Sequence, residues 1–153
     1  MLIRLRFEYL TEDRGEISDE DRQALNRQLP RYFADHIGDN TFIGILALIG
    51  GEAAGTAYLA ISEMPANTTI ITGKRGMLLN VYTLPRHRRK GIASMAVRRV
   101  LDEAKLLGCS YVELSATDAG KGMYERLGFS GESKYTHMGM RLIEWSEQIH
   151  GER

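Results

Sequence analysis

Residues 80–94, NVYTLPRHRRKGIAS, restrict the fold more than any other part of the chain. They read as a buried strand, a short basic turn and the first turn of a helix. Met77, Leu78 and Leu79 lead into Val81, Tyr82 and Thr83, which favour extended backbone. Pro85 has no N–H to give to a sheet ladder and biases Leu84 towards an extended conformation, so the strand ends there. Gly91, Ile92, Ala93 and Ser94 then open a long amphipathic run. A helix N-terminus leaves backbone N–H groups unpaired and carries partial positive charge, which suits a phosphate-type anion. Gly91 lets such an anion approach the backbone, and Arg88, Arg89 and Lys90 set full positive charges beside it. The stretch reads as a phosphate-binding turn.

The helix predicted after Gly91 carries one apolar stripe through Ile92, Ala96, Val100 and Ala104, with Gly108 at the expected C-terminal cap. Residues 109–116 alternate around Val112 and Leu114 as a further strand. Strand, helix and strand make a β-α-β unit with parallel neighbours, and ligands bind at the carboxyl ends of such strands. Upstream, residues 42–49 and 53–61 flank Gly50-Gly51-Glu52 as a hairpin of two well-buried strands. Ser18 and Asp21 mark a helix start, and Pro30 is expected to interrupt or divide that helix. Leu2 to Leu10 fits both strand alternation and helical spacing. Downstream, Thr117 or Asp118 caps a second helix ending at Gly128. Residues 129–131 and 135–142 supply two last strands, and the tail is helical around Trp145. With 153 residues, no repeat and no linker, residues 1–153 form a single α/β domain.

Twenty basic residues balance twenty acidic ones, which argues against nucleic acid or an anionic membrane as partner. No apolar run approaches the length of a transmembrane helix. One cysteine, Cys109, rules out an intrachain disulfide and fits a reducing, cytoplasmic location. Four histidines without ligand spacing point to no metal site.

Arg88 to Ala93 matches the Arg/Gln-x-x-Gly-x-Gly/Ala signature of the GNAT superfamily of acyl-CoA-dependent N-acetyltransferases. Residues 123–129, MYERLGF, resemble that family's Leu-Tyr-Glu-Lys-x-Gly-Phe element, in the right order and one βα unit downstream. The resemblance covers roughly Thr41 to Leu142. It implies a mixed, largely antiparallel sheet flanked by helices, with the parallel β-α-β unit binding acyl-CoA, and it makes Leu2 to Leu10 look like the family's first helix. It further implies that Arg88 to Ser94 (Arg88, Arg89, Lys90, Gly91, Ile92, Ala93, Ser94) hold the pyrophosphate of acetyl-CoA. Val81, Tyr82 and Thr83 would pair with the pantetheine arm where the sheet splays, a backbone N–H near Tyr82 would polarise the thioester carbonyl, and Tyr124 would face the sulfur as general acid. Thr117 stands where the commonest pattern has Asn and would offer a hydroxyl to the arm. Gly120 would give the cofactor close access.

The expected reaction is acetyl transfer from acetyl-CoA to a primary amine of a small molecule or peptide, by direct attack in a ternary complex. Tyr124, with an ordinary pKa of about 10, can protonate the leaving thiolate. Glu63, Glu113 and Asp118 are the carboxylates near predicted strand ends, and the residues nominate none of them as base. The alternative is a non-catalytic CoA-binding or regulatory domain, with a nucleotide- or phosphate-binding domain a third reading. The acceptor pocket is expected among the first helices, residues 63–67 and residues 135–140. Exposed strand edges with Met138 and Met140 leave room for a homodimer.

Overall fold

The computed structural model describes residues 1–131 and 134–143. The order is α1 (Leu2–Arg14), α2 (Asp19–Gly38), β1 (Phe42–Ile49), β2 (Glu52–Glu63) and β3 (Lys74–Thr83). A 3-10 turn (Pro85–His87), α3 (Ile92–Leu106), β4 (Tyr111–Glu113) and α4 (Asp118–Arg126) follow. The four strands form one sheet in chain order; β1, β2 and β3 are antiparallel, and β3 and β4 are parallel. This is the mixed, mostly antiparallel α/β architecture, with its β-α-β unit, that the sequence leads one to expect.

Helices cover both faces of the sheet. On one face, Ala96, Val97, Val100 and Ala104 of α3 pack against Ala57 and Leu59 of β2 and Leu78 of β3. On the other, Leu29 and Phe33 of α2 meet Phe42 and Tyr58, while Leu5 of α1 meets Ala53, Tyr82 and Leu84. The segment Leu2–Leu10 is helical, and its ambiguity has a physical origin. Leu2, Ile3 and Phe7 pack into the α2 cluster, and Leu5 and Tyr9 into the cluster around Tyr82. A helix buried against two clusters loses the single apolar stripe by which helices are read.

Ser18 caps α2 as expected, its hydroxyl accepting from the Asp21 N–H at 3.1 Å. Pro30 does not divide that helix. It lies exposed, so the carbonyl one turn back that loses its donor faces water instead of the core.

Three further expectations are corrected. The strand predicted over residues 109–116 is only Tyr111–Glu113, because beyond the Met77–Glu113 pair the two strands part. Residues 129–131 and 135–142 contain no strand among the described residues. Tyr135, Met138, Met140 and Leu142 are exposed, so their alternation buries no face and has no ladder to enforce it. The expected helix around Trp145 lies outside the described residues. No described helix is long and apolar enough to cross a membrane.

Candidate active site

β3 and β4 begin side by side and then part. The parallel ladder pairs Arg75, Gly76 and Met77 with Tyr111, Val112 and Glu113, and stops. β3 runs on to Thr83, still paired to β2 on its other side, so among the described residues Leu78 to Thr83 have no ladder partner on the β4 side. Backbone groups along such an edge can pair with an extended ligand as a strand would. Val81, Tyr82 and Thr83 all lie on this edge, at the carboxyl end of the parallel pair, where open α/β sheets bind ligands.

Within the same stretch β3 carries a bulge. Thr56 is opposite Tyr82 but Tyr58 is opposite Leu79, so Asn80 and Val81 together face the one residue Ala57. Asn80 takes up the irregularity with a φ of 50°. Leu79 therefore points towards α2, Asn80 towards α1, Val81 towards α3 and Tyr82 back towards α1.

The signature turn closes the far end of β3. Gly91 is left-handed at φ 76°, and a Cβ added there would meet nothing within 4 Å. No side chain caps α3, whose first intrahelical bond runs from the Met95 N–H to the Gly91 carbonyl, which leaves the N–H groups of Ile92, Ala93 and Ser94 for an outside acceptor. Arg89 and Lys90 are exposed and have no ion-pair partner among the described residues, so the turn fits an anionic group in backbone donors, space and charge.

Arg88 is differently placed. Its Nη2 donates to both carboxylate oxygens of Glu12 of α1, at 2.6 and 2.7 Å, and its guanidinium covers the Tyr82 ring at 5.7 Å. Its Nε donates to the Thr83 carbonyl, and the Tyr82 hydroxyl donates to Glu12 at 3.3 Å. The last turn of α1 is thus tied to the signature turn. Gly55 of β2 lies below, where a Cβ would come within 2.8 Å of the Tyr82 carbonyl and 2.9 Å of Ile92.

Tyr124 of α4 stands at the fork. Its ring packs against the α3 cluster and edge-on to Phe129 at 5.9 Å. Burial above all holds its hydroxyl above the usual tyrosine pKa, so it is protonated at neutral pH. Thr117 caps α4, its hydroxyl accepting from the Gly120 N–H at 3.2 Å and keeping its own proton to donate. A Cβ on Gly120 would press on the Thr117 hydroxyl at 3.3 Å and the Tyr124 ring at 3.4 Å; the glycine keeps these two groups close together.

The three carboxylates near strand ends separate in space. Glu63 lies opposite Lys74, at the end of the sheet away from the signature turn, and pairs with it at 3.6 Å. Glu113 is at the fork but bound to Arg75 at 3.0 Å. Asp118 is exposed in the first turn of α4, where a negative charge suits the helix end. Cys109 packs beside the α3 cluster, and burial pushes its thiol pKa up, which makes it a poor nucleophile.

Four residues at this site have no signature in the sequence: Arg6, Tyr9, Glu12 and Asn80. Each gains its place from contacts between α1 and β3 or the signature turn, 70 to 76 positions apart in the chain.

The model of the acetyltransferase (GNAT) family matches residues 4–129, and so takes in α1, the fork, the signature turn and α4. The chain belongs to the GNAT family. Among solved structures, this GNAT chain is similar to a predicted acetyltransferase from Clostridium acetobutylicum, determined with acetyl-CoA. That match has 27% identity, a TM-score of 0.75, and coverage of 90% of this chain and 87% of the other. A GCN5-related N-acetyltransferase from Ralstonia eutropha JMP134 shares the fold at 23% identity, with a TM-score of 0.72 and coverage of 91% and 90%. Among curated proteins, N-acetyltransferase family 8 member 3 of Mus musculus is 30% identical over 92 residues, 57% of this chain and 41% of that protein. Mouse thialysine N-epsilon-acetyltransferase is 28% identical over 102 residues, 62% of this chain and 60% of that one. The matched stretch thus spans less than two thirds of these mouse relatives.

Proposed function

We propose that this GNAT protein transfers an acetyl group from acetyl-CoA to a primary amine, by direct attack within a ternary complex. The observation that carries the reading is the fork. An unpaired β3 edge leads from the half-buried, protonated Tyr124 hydroxyl region to an uncapped helix N-terminus. An acyl-CoA has the matching parts in the same order, with a thioester, an amide-bearing arm and a pyrophosphate.

The N–H groups of Ile92, Ala93 and Ser94, with Arg89 and Lys90, would hold the pyrophosphate. The free edge of Val81 to Thr83 would pair with the amide-bearing arm, and a backbone N–H near Tyr82 would polarise the carbonyl. Thr117 would donate its remaining proton to the arm, and Gly120, with no Cβ, leaves the space between Thr117 and Tyr124 clear for the cofactor. As the amine nitrogen bonds to the carbonyl carbon and the carbon–sulfur bond breaks, Tyr124 gives the leaving thiolate a proton or a hydrogen bond. The amine's own proton passes to water, since Glu63 is remote and Glu113 is held by Arg75.

The test is a thiol-release assay over a panel of amines, run beside a thermal-shift titration with CoA. Amine-dependent release, lowered at least tenfold in turnover by Tyr124→Phe with CoA binding within threefold of the original, is the expected result. Stabilisation by CoA without release from any amine identifies a binding domain instead, and absence of both refutes the whole reading.

A further inference from the structure

Arg6 lies on the inner side of α1, half-buried against the bulge of β3. Its Nη1 donates to the Asn80 Oδ1 at 3.1 Å, and its guanidinium stands 5.8 Å from the Tyr9 ring centre. No carboxylate lies within ion-pair distance of it among the described residues. Three more exposed arginines are each paired with a carboxylate: Arg4 with Glu8, Arg14 with Asp13, Arg88 with Glu12. This inverts the usual arrangement, because a desolvated charge needs a counter-charge far more than a solvated one does.

Asn80 adds a second unmet group in the same place. It is 2% exposed, and its Oδ1 must face the guanidinium, because only that end of the amide accepts. The Nδ2 is then left buried with no hydrogen-bond partner among the described residues. The residue is held there at a left-handed φ of 50°, which costs backbone energy as well. A half-buried cation without a counter-charge and a leftover buried donor, both at one bulge, fit a place prepared for a negatively charged group.

We propose that Arg6, steadied by Asn80, binds a compact oxyanion on the amine acceptor, so that the substrate is an amine bearing a carboxylate or a phosphate. The proposal rests on the acetyltransferase reading above and names the substrate class of that site. A planar guanidinium with five donors matches either oxyanion. Position separates this anion from the pyrophosphate of acetyl-CoA. Arg6 is six residues before Glu12, the α1 residue tied to the signature turn, which is about 9 Å of helix. Tyr9 links Arg6 to the edge of β3, since its ring meets the guanidinium and stands edge-on to the Tyr82 ring at 6.2 Å. An acceptor anchored at Arg6 would therefore extend its amine past Tyr9 towards the fork. The other ionisable groups that Arg6 senses are Tyr58, Arg14 and Asp13, of which Asp13 is engaged with Arg14.

The experiment compares matched amines with saturating acetyl-CoA: lysine with 1,5-diaminopentane, ornithine with 1,4-diaminobutane, and O-phosphoethanolamine with ethanolamine. The first two pairs report a carboxylate and the third a phosphate. In the original protein kcat/KM should favour the anionic member of at least one pair by about ten- to a hundredfold, the range for a hydrogen bond to a charged group. Arg6→Gln should bring that ratio close to one. Asn80→Asp, which tolerates the same φ, sets a carboxylate beside Arg6 and should abolish the preference while raising the melting temperature. If the two residues served the fold alone, Asn80→Asp would stabilise the protein and leave the preference intact. No preference in the original protein, or one that survives both substitutions, overturns the proposal. Should no amine turn over, calorimetric titration of the same pairs into the CoA-bound protein decides. Binding of the anionic member that depends on Arg6 upholds the anion site while the acetyltransferase reading fails, and equal binding of both members overturns the anion site.

Discussion

Gly91 and Gly108 stand at opposite ends of α3, and together they separate the cost of a backbone conformation from the cost of losing a ligand. Their φ values are 76° and 80°. A Cβ on Gly91 would meet nothing within 4 Å, and one on Gly108 would meet only the Lys74 side chain at 4.0 Å. Alanine at either position is therefore strained by φ alone, at about 1–2 kcal/mol. The loss of freedom in the unfolded chain offsets about 0.4–1 kcal/mol of that. Each variant should lose about 1 kcal/mol of unfolding free energy, a drop of roughly 2–4 °C in melting temperature for a chain of this size. Affinity for CoA should split them. At Gly91 the new methyl stands in the space beside the unused N–H groups of Ile92 to Ser94, and one lost hydrogen bond to a charged oxygen is worth about 1.5–3 kcal/mol, a tenfold weakening or more. The fifteen residues of α3 place Gly108 about 22 Å away, so Gly108→Ala should bind CoA as the original does. Denaturant melts without CoA and calorimetric titration with it measure both quantities. Equal CoA affinity in the two variants would refute the turn as the phosphate cradle.

Two other perturbations probe α1. The Tyr58 hydroxyl donates to the Leu2 carbonyl at 2.6 Å, and burial raises its pKa from 10.0 to about 12. Between those values the unfolded chain gives up the proton first. Stability intact below pH 10 should therefore fall, by up to about 2–3 kcal/mol, as pH rises through the window. Tyr58→Phe should cost about 1 kcal/mol at pH 7 and flatten that decline, which denaturant melts at pH 8 and pH 11 would detect; identical pH slopes would contradict it. Glu12→Gln removes a largely exposed ion pair worth about 0.2–1 kcal/mol of stability. It also frees the Arg88 charge, so CoA should bind a few-fold tighter at low salt and the gain should fade by 0.5 M salt. Weaker CoA binding in this variant would show that Glu12 positions Arg88 for the cofactor instead of neutralising it.

What the sequence made legible was local. The strand, basic turn and helix from Asn80 onward are legible because proline, glycine and one continuous apolar stripe each leave a mark within a few residues. The Ser18 and Thr117 caps are readable for the same reason. α1 is not, because its apolar residues serve two clusters. The short β4 is not, because its length is set by where it parts from β3. Residues 135–142 alternate as a strand does, yet pattern without a neighbouring ladder makes none among the described residues. At the site, the signature turn and Tyr124 were readable from motifs, whereas Arg6, Tyr9, Glu12 and Asn80 owe their roles to a helix laid across a strand far along the chain.

The bulge at Asn80 also works as a counting device. Up to Leu79 and from Val81 onward, β3 assigns odd and even positions to opposite faces, and the extra residue exchanges the assignment between the two halves. Removing Asn80 would restore simple alternation and leave Val81 towards α3 and Tyr82 towards α1, as they are now. Flattening the bulge with all its residues kept, or adding one residue between Val81 and Tyr82, would instead turn Tyr82 towards α3. The strand can therefore lose its extra residue without turning the Tyr82 ring, but a further insertion between Val81 and Tyr82 would not leave that ring against α1.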